Sequence, residues 1–406
     1  MDRFKSIAFV VVIFVVGILN LGLHTNYEKS EVENRPLQTA PEVSVAKIFD
    51  GSLMLEIDGY ISDQFMFRNH MIGLADRIKS LRGFSSEIAV EIVQSDNMIP
   101  VLPDLEQGEQ VAVSIKYFVY EDRAFRSFKM NEAAEISYAQ SILDFKKGTP
   151  TTDVYVLVSP TQAAYIPSKY EKYTDSPEAS VNRLESLMND SVKFVNTNAI
   201  MRENQDQYLF FRTDHHWNGL GAYYAYVEFC EKKQIEPIEL SEMKAISVDN
   251  FVGSFFKMTN NVVLSENPDT IQAFVPTPSV MLTRTYMDKE GKTTIANPVP
   301  YVISEKFMGD TPSYGIFLGG DSALTVVKTE KSHSQEKILV VKDSYGNAFA
   351  PYLVNHYEEV HVLDPRYWQG SMLNYIETHN IDDVIFINNV DINLYDVYDE
   401  MLRKVF

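Results

Sequence analysis

Lys337-Ile338-Leu339-Val340-Val341-Lys342-Asp343-Ser344-Tyr345-Gly346-Asn347 is the stretch that decides the fold. Its first five residues, a lysine followed by the apolar run Ile338–Val341, read as a strand buried on both faces. Asp343 and Ser344 stand where that strand turns, and Asn347–His356 reads as a helix weakened by Pro351. In an open parallel sheet, ligands bind outside the carboxyl ends of the strands. A serine at such a turn lies near backbone N–H groups able to stabilise an oxyanion. The plain alternative is that Asp343 or Ser344 only caps the helix.

The same strand–helix rhythm extends outward. Downstream, Glu359–Leu363 and Asp383–Ile387 read as strands, with helices at Gly370–Thr378 and over 391–404. Upstream, Asp153–Ser159 and Val192–Val195 read as strands, and Glu132–Lys147, Ser176–Asn189 and Trp217–Lys232 as helices. Strands with helical crossovers predict an α/β fold, a parallel sheet with flanking helices. Residues 237–335 break the rhythm with prolines, Thr, Ser and short β-like runs such as Pro300–Ser304 and Ser313–Leu318, and read as a β- and loop-rich insertion. The expected organisation is an N-terminal helix over 1–27, a linker over 28–45, a helical and β extension over 46–150, and the α/β domain over 151–406.

Ile7–Leu23 holds 17 residues without a charge, and Ser6–Tyr27 holds 22 if His24 is neutral. At about 1.5 Å per residue the wider span crosses a hydrocarbon core of roughly 30 Å. Arg3 and Lys5 precede it, which predicts a signal-anchor with the rest of the chain outside the cytoplasm. A cleavable signal peptide fits less well, because no A-x-A-like site follows. The 406 residues carry a net charge of −20, and about −21 without the first 27. That acidity argues against nonspecific nucleic-acid binding. Cys230 is the single cysteine, so an internal disulfide or a Cys-rich metal site is excluded. No nucleotide-binding glycine loop follows a strand, and no cofactor is expected.

A second motif, Thr213-Asp214-His215-His216-Trp217-Asn218, precedes a helix. It reads either as a helix cap with histidines in the first turn, or as Asp214 orienting a histidine base. Gly320-Asp321-Ser322-Ala323-Leu324 matches a Gly-Asp-Ser-x-Leu pattern by letters. Thr325–Lys328 after it is strand-like rather than helical, so Ser344 is favoured over Ser322 as the nucleophile.

Together the tetrad Asp214–Trp217 and the Lys342–Asn347 motif resemble the DHHW family of exported bacterial proteins. Weaker pieces are Glu33-Asn34-Arg35 with Leu37 and Pro41, Asp63-Gln64-Phe65 with Arg68, and Asp364-Pro365-Arg366-Tyr367. That family is similar to SGNH-hydrolase-like proteins of exopolysaccharide O-acetylation, such as alginate acetylation. The resemblance implies a Ser–His–Asp triad of Ser344, His216 and Asp214, in a chain order that is a circular permutation of ordinary SGNH hydrolases. It also implies oxyanion donors after the second and third strands. No glycine stands at the second site, whereas Asn388 and Asn389 stand at the third. The expected donors are the Ser344 N–H and the side chain of Asn388 or Asn389, unless these asparagines only turn the chain. Arg366 either binds a substrate carboxylate or hydroxyl or forms a surface ion pair, and His215 and Tyr345 are grouped with the substrate-binding residues.

The leading expectation is a membrane-anchored O-acetyltransferase or O-acetylesterase acting on a cell-surface polysaccharide. A multipass membrane acyltransferase is the implied acyl-donating partner. A noncatalytic polysaccharide-binding protein is the second reading. A metal phosphoesterase using Asp214, His215 and His216 is the third, although no further carboxylate motif accompanies them, and no metal site is expected.

Overall fold

The computed structural model describes residues 115–394 apart from 289 and 333, residues 398–406, 52–65 and 91–95, and ten scattered positions before residue 48. The apolar span over 6–27 and most of the 28–45 linker lie outside the described residues. Among the described residues no helix is long and apolar enough to cross a membrane. The chain forms two compact units, Met1–Ala89 with Phe256–Val262, and Val90–Phe255 with Val263–Phe406. In the first, Ser52–Asp63 is helical, and Lys47 pairs with Glu56 at 2.7 Å. The second holds everything that follows.

Its main sheet has eight strands: β1 (Asp153–Ser159), β2 (Lys193–Val195), β3 (Val280–Met287), β4 (Thr293–Ile295), β5 (Leu324–Thr329), β6 (Lys337–Lys342), β7 (Glu359–Leu363) and β8 (Asp383–Asn389). Their spatial order is β4-β3-β5-β7-β6-β8-β1-β2. The run β7-β6-β8-β1-β2 is parallel, as the rhythm predicts. The insertion differs from expectation in one respect: β3, β4 and β5 extend the same sheet through antiparallel pairing. Their free backbone groups satisfy the β7 edge, which removes an exposed strand edge. The β-like runs at 300–304 and 313–318 form no ladder and meet through a single bridge, Ile303 to Phe317.

Among the described residues, the helices of eight or more residues in this unit are α1 (Glu132–Gly148), α2 (Pro177–Leu187), α3 (Gly219–Lys233), α4 (Gly346–Leu353), α5 (Met372–His379) and α6 (Tyr398–Val405). Local chemistry fixes their starts. Asn131 accepts from the Ala134 N–H, and Ser176 from the Ala179 N–H with Pro177 at the first helical position.

Successive residues of a strand face opposite sides, and both sides are covered here. Leu157, Ile338, Val340, Ile385 and Ile387 face the core built with Ala222, Tyr226 and Phe229 of α3 and Ala348 and Tyr352 of α4. Val156, Leu339, Val341, Val384 and Phe386 face the opposite core with Ile142 and Phe145 of α1, Leu184 of α2 and Leu402 of α6. Each such side chain contributes about 1.5–3 kcal/mol on burial. β6 lies between β7 and β8, and the chain leaves it through α4 on one face and returns to β8 through α5 on the other. That divergence opens a crevice at the carboxyl end of β6, where Ser344 stands.

Candidate active site

The turn after β6 is tight and braced. The Asp343 N–H donates to the Ile387 carbonyl at 3.1 Å. The Asp343 carboxylate accepts from the Tyr345 N–H at 2.8 Å, and from both the N–H and the side-chain amide of Asn389 at 2.9 Å. Burial pushes the Asp343 pKa up, and those N–H donors only partly offset it. Gly346 permits the sharp exit into α4, because a Cβ there would sit 2.5 Å from the Lys342 Cβ. Ser344 is left half-buried, and its N–H meets no acceptor among the described residues.

The second turn is held from the insertion. Asp269, fully buried, accepts from the Arg212 N–H at 3.0 Å, the Thr213 N–H at 2.8 Å and the Thr213 hydroxyl at 2.6 Å, and also from the Tyr208 hydroxyl. Asn218, rather than Thr213 or Asp214, caps α3: its side-chain Oδ1 accepts from the Gly219 N–H at 2.9 Å and the Gln272 N–H at 2.8 Å. The histidines therefore precede the helix. The two turns are tied to each other as well. Trp217 Nε1 donates to the Tyr345 carbonyl at 3.1 Å, and the Tyr345 hydroxyl donates to the His215 carbonyl at 2.7 Å.

This brings Ser344, His216 and Asp214 into one hydrogen-bonded chain. His216 Nε2 lies 2.7 Å from Ser344 Oγ, and His216 Nδ1 lies 2.5 Å from Asp214 Oδ1. With Nδ1 protonated, His216 donates to the carboxylate and accepts from the serine hydroxyl. The second carboxylate oxygen accepts from the Ser254 N–H at 2.7 Å. Gly253 makes that approach possible, since a Cβ there would lie 2.2 Å from the Asp214 Cβ. Gln162 donates its amide to the Asp214 carbonyl at 2.7 Å. Burial pushes the Asp214 pKa up, but the adjacent His216 and His215 and the hydrogen bonds to the charged form prevail, leaving it below the usual carboxylate range. Asp214 is therefore ionised at neutral pH. The Tyr314 ring lies flat on the His216 imidazole, with centroids 3.8 Å apart and planes 9° from parallel.

The other sequence-predicted residues divide. Half-exposed His215 turns its Nδ1 to Ser254 Oγ at 2.6 Å, and burial together with neighbouring His216 pushes its pKa down. Tyr345 is buried and ties the two turns rather than facing a ligand. Both amide atoms of Asn388 are engaged in the core, with Tyr138 at 2.9 Å and Tyr398 at 2.7 Å. The Asn389 amide is engaged with Asp343. Arg366 forms no surface pair. It grips Asp364 with two bonds of 2.8 and 2.6 Å and reaches Asp321 at 3.2 Å. Lys342 completes the network, 2.6 Å from Asp321 and 3.0 Å from Asp364.

Ligand atoms of Asp214, His215 and His216 lie within 4.8 Å of one another, the spacing of a metal site. Both Asp214 oxygens and the His216 Nδ1 are already joined by hydrogen bonds, so a cation would have to displace the chain that reaches Ser344. Residues that sequence reasoning missed are Asp269, Gly253, Ser254, Gln162 and Tyr314.

A parallel sheet with a serine, a histidine and an aspartate linked at its carboxyl edge defines a class of α/β protein equipped for serine chemistry. Residues 174–363 match the family model described as DHHW protein. A crystal structure of a DHHW family protein from Eubacterium siraeum aligns with a TM-score of 0.62 at 26% identity, over 71% of this chain and 94% of that one. PatB1 of Bacillus cereus aligns with a TM-score of 0.57 at 21% identity, over 69% of this chain and 97% of that one. A second PatB1 structure, with a sulfonyl adduct, gives 0.55 at 18% identity, over 68% and 94%. The likeness to PatB1 is one of fold. No curated protein matches the chain.

Proposed function

We propose that this chain is a membrane-anchored, extracytoplasmic serine acyl-transfer enzyme, an O-acetyltransferase or O-acetylesterase acting on a cell-surface polysaccharide. One observation carries the reading: the Ser344–His216–Asp214 chain with bonds of 2.7 and 2.5 Å. A serine hydroxyl is a poor nucleophile at neutral pH until a base takes its proton. In the proposed cycle, His216 Nε2 takes the Ser344 proton as Oγ bonds to the acetyl carbonyl carbon, whose π electrons move onto oxygen. Asp214 stabilises the imidazolium that forms. The Ser344 N–H is the donor we assign to the oxyanion. Collapse breaks the ester bond, and the leaving alkoxide takes the proton from His216. An acceptor hydroxyl or water then gives its proton to His216 as its oxygen bonds to the acetyl carbon; collapse breaks the ester bond to Oγ, and His216 returns the proton to Ser344.

The acetyl group and the glycan rest on the resemblance to exopolysaccharide O-acetylation proteins, which also supports the circularly permuted SGNH-like topology and a multipass membrane acyltransferase as acyl donor. Anchoring rests on the uncharged span over 6–27. The half-exposed His215 edge is the group we assign to an acceptor hydroxyl.

The test uses the full chain in detergent. Wild type is expected to hydrolyse p-nitrophenyl acetate and to gain one phenylmethylsulfonyl group, read by intact mass. A general base contributes about 10²–10⁴-fold, so Ser344→Ala and His216→Ala are expected to lose both signals while unfolding cooperatively. An adduct or turnover retained by Ser344→Ala would sink the assignment. Removing residues 1–27 is expected to move the protein from the membrane to the soluble fraction.

A further inference from the structure

Tyr314 stacks on the one side chain through which the proposed cycle passes every proton, yet it belongs to the insertion and lies 98 positions from His216 in sequence. Its hydroxyl is buried and makes no well-formed hydrogen bond: the nearby Trp217 indole N–H is committed to the Tyr345 carbonyl at 3.1 Å. A tyrosine placed for its hydroxyl would have found one. What the position uses is the ring.

That ring is held by its own scaffold. The Ser313 hydroxyl accepts from the Gly315 N–H at 3.3 Å, and the Ser304 N–H donates to the Ile316 carbonyl at 2.7 Å. The Leu318 N–H donates to the Val302 carbonyl at 2.8 Å, and Arg284 of β3 clamps the Leu318 carbonyl at 3.0 Å. Gly319, at φ +79°, leaves the room Arg284 needs, since a Cβ there would lie 1.4 Å from Arg284 Nη1. Phe317 meets the Tyr314 ring edge-on at 5.1 Å. The turn is therefore anchored to the main sheet and does not depend on His216 for its shape.

We infer that Tyr314 is a positioning residue: its ring fixes the plane of the His216 imidazole so that Nδ1 faces Asp214 while Nε2 faces Ser344. Without the stack, the imidazole can rotate about its side-chain bonds, and one of the two hydrogen bonds is lost. An electron-rich face against the ring also favours the imidazolium of the transition state over the neutral ground state. The same ring keeps water off that side of the base. The 313–320 turn is thus part of the active site rather than an appendage to it. This inference rests on the serine acyl-transfer reading for its kinetic consequence, but not for the geometry itself.

The experiment compares Tyr314→Phe, Tyr314→Leu and Tyr314→Met in the full chain. With p-nitrophenyl acetate, Phe is expected within about twofold of wild type, while Leu and Met lose on the order of 10- to 30-fold in kcat with KM little changed. The pH profile of kcat/KM is expected to coincide for wild type and Phe and to move for Leu and Met. A second measurement needs no turnover: the downfield proton resonance of His216 Nδ1–H against Asp214 is expected in wild type and Phe, and broadened by exchange in Leu and Met. Equal kcat and an equally sharp resonance in Tyr314→Leu would overturn the inference. So would a Phe variant as impaired as Leu, because the hydroxyl rather than the ring would then be at work. If wild type neither turns over nor is sulfonylated at Ser344, the enzymatic reading fails, and the resonance still decides whether Tyr314 holds the imidazole.

Discussion

Two Asp-Ser pairs lie 22 positions apart and look alike on paper, Asp321-Ser322 and Asp343-Ser344. The structure gives them opposite uses. Ser322 is buried and bonded to the Thr325 hydroxyl at 2.8 Å, whereas Ser344 lies half-buried against His216. Asp321 is matched by cations, Lys342 and Arg366, and burial is outweighed by them, so its pKa falls well below the usual range. Asp343 is hydrogen-bonded by the N–H groups of Tyr345 and Asn389, and burial carries its pKa upward against those bonds and the more distant Arg366. Placement on the sheet, not the dipeptide, sets the chemistry. One pair follows a loop and enters an interior antiparallel strand, while the other ends a central parallel strand.

The comparison can be broken in four ways. The largest effect is expected at the serines: Ser344→Ala should lower ester hydrolysis by roughly 10³-fold or more, and Ser322→Ala should leave it within twofold. Equal losses would erase the distinction. Next comes the ion network. Asp321→Ala leaves Lys342 and Arg366 with one carboxylate between them and should cost about 3 kcal/mol in urea unfolding.

Acid separates the aspartates by sign. A carboxyl depressed in the folded state stabilises it above the unfolded pKa of about 4, and that stability is lost as pH falls through the folded value. Asp321→Asn should therefore flatten the decline below pH ~4. Asp343 works the other way: its raised pKa makes the folded form take up a proton first. Stability from this group thus rises as pH falls from the folded value towards about 4, and Asp343→Asn should remove that gain. Unfolding midpoints between pH 3 and 7 would show both slopes. The smallest effect is the Ser322–Thr325 hydrogen bond, for which Ser322→Ala should cost about 1 kcal/mol.

Much of this was legible in sequence. The strand rhythm predicts the five parallel strands and their helices, and the resemblance carried by the tetrad and the Asp-Ser turn implies the three residues that the fold hydrogen-bonds together. Periodicity reports on neighbours within one element, so it was silent about Asp269 and Tyr314, which reach the His turn from elsewhere in the chain. The insertion reads as strands and loops, but its joining the main sheet is not readable, because the edge it pairs with belongs to β7. Asn388 and Asn389 show a subtler limit. Adjacent residues of a strand point to opposite sides, so one amide enters the core beside Tyr138 and Tyr398 while its neighbour turns to Asp343. A position at a strand end is readable from spacing, but the direction of its side chain is not.

His216 and Ser344 are 128 positions apart, and the segment between them includes four strands of the same sheet, β3 to β6. Contacts of such long sequence separation carry a loop-closure cost and form late in folding. A chain that has built its β1–β2 half but not yet seated β6 holds a histidine with nothing to activate. Reactivity at Ser344 is thus a property of the finished fold, and the appearance of a sulfonyl adduct during refolding would time the last step of assembly.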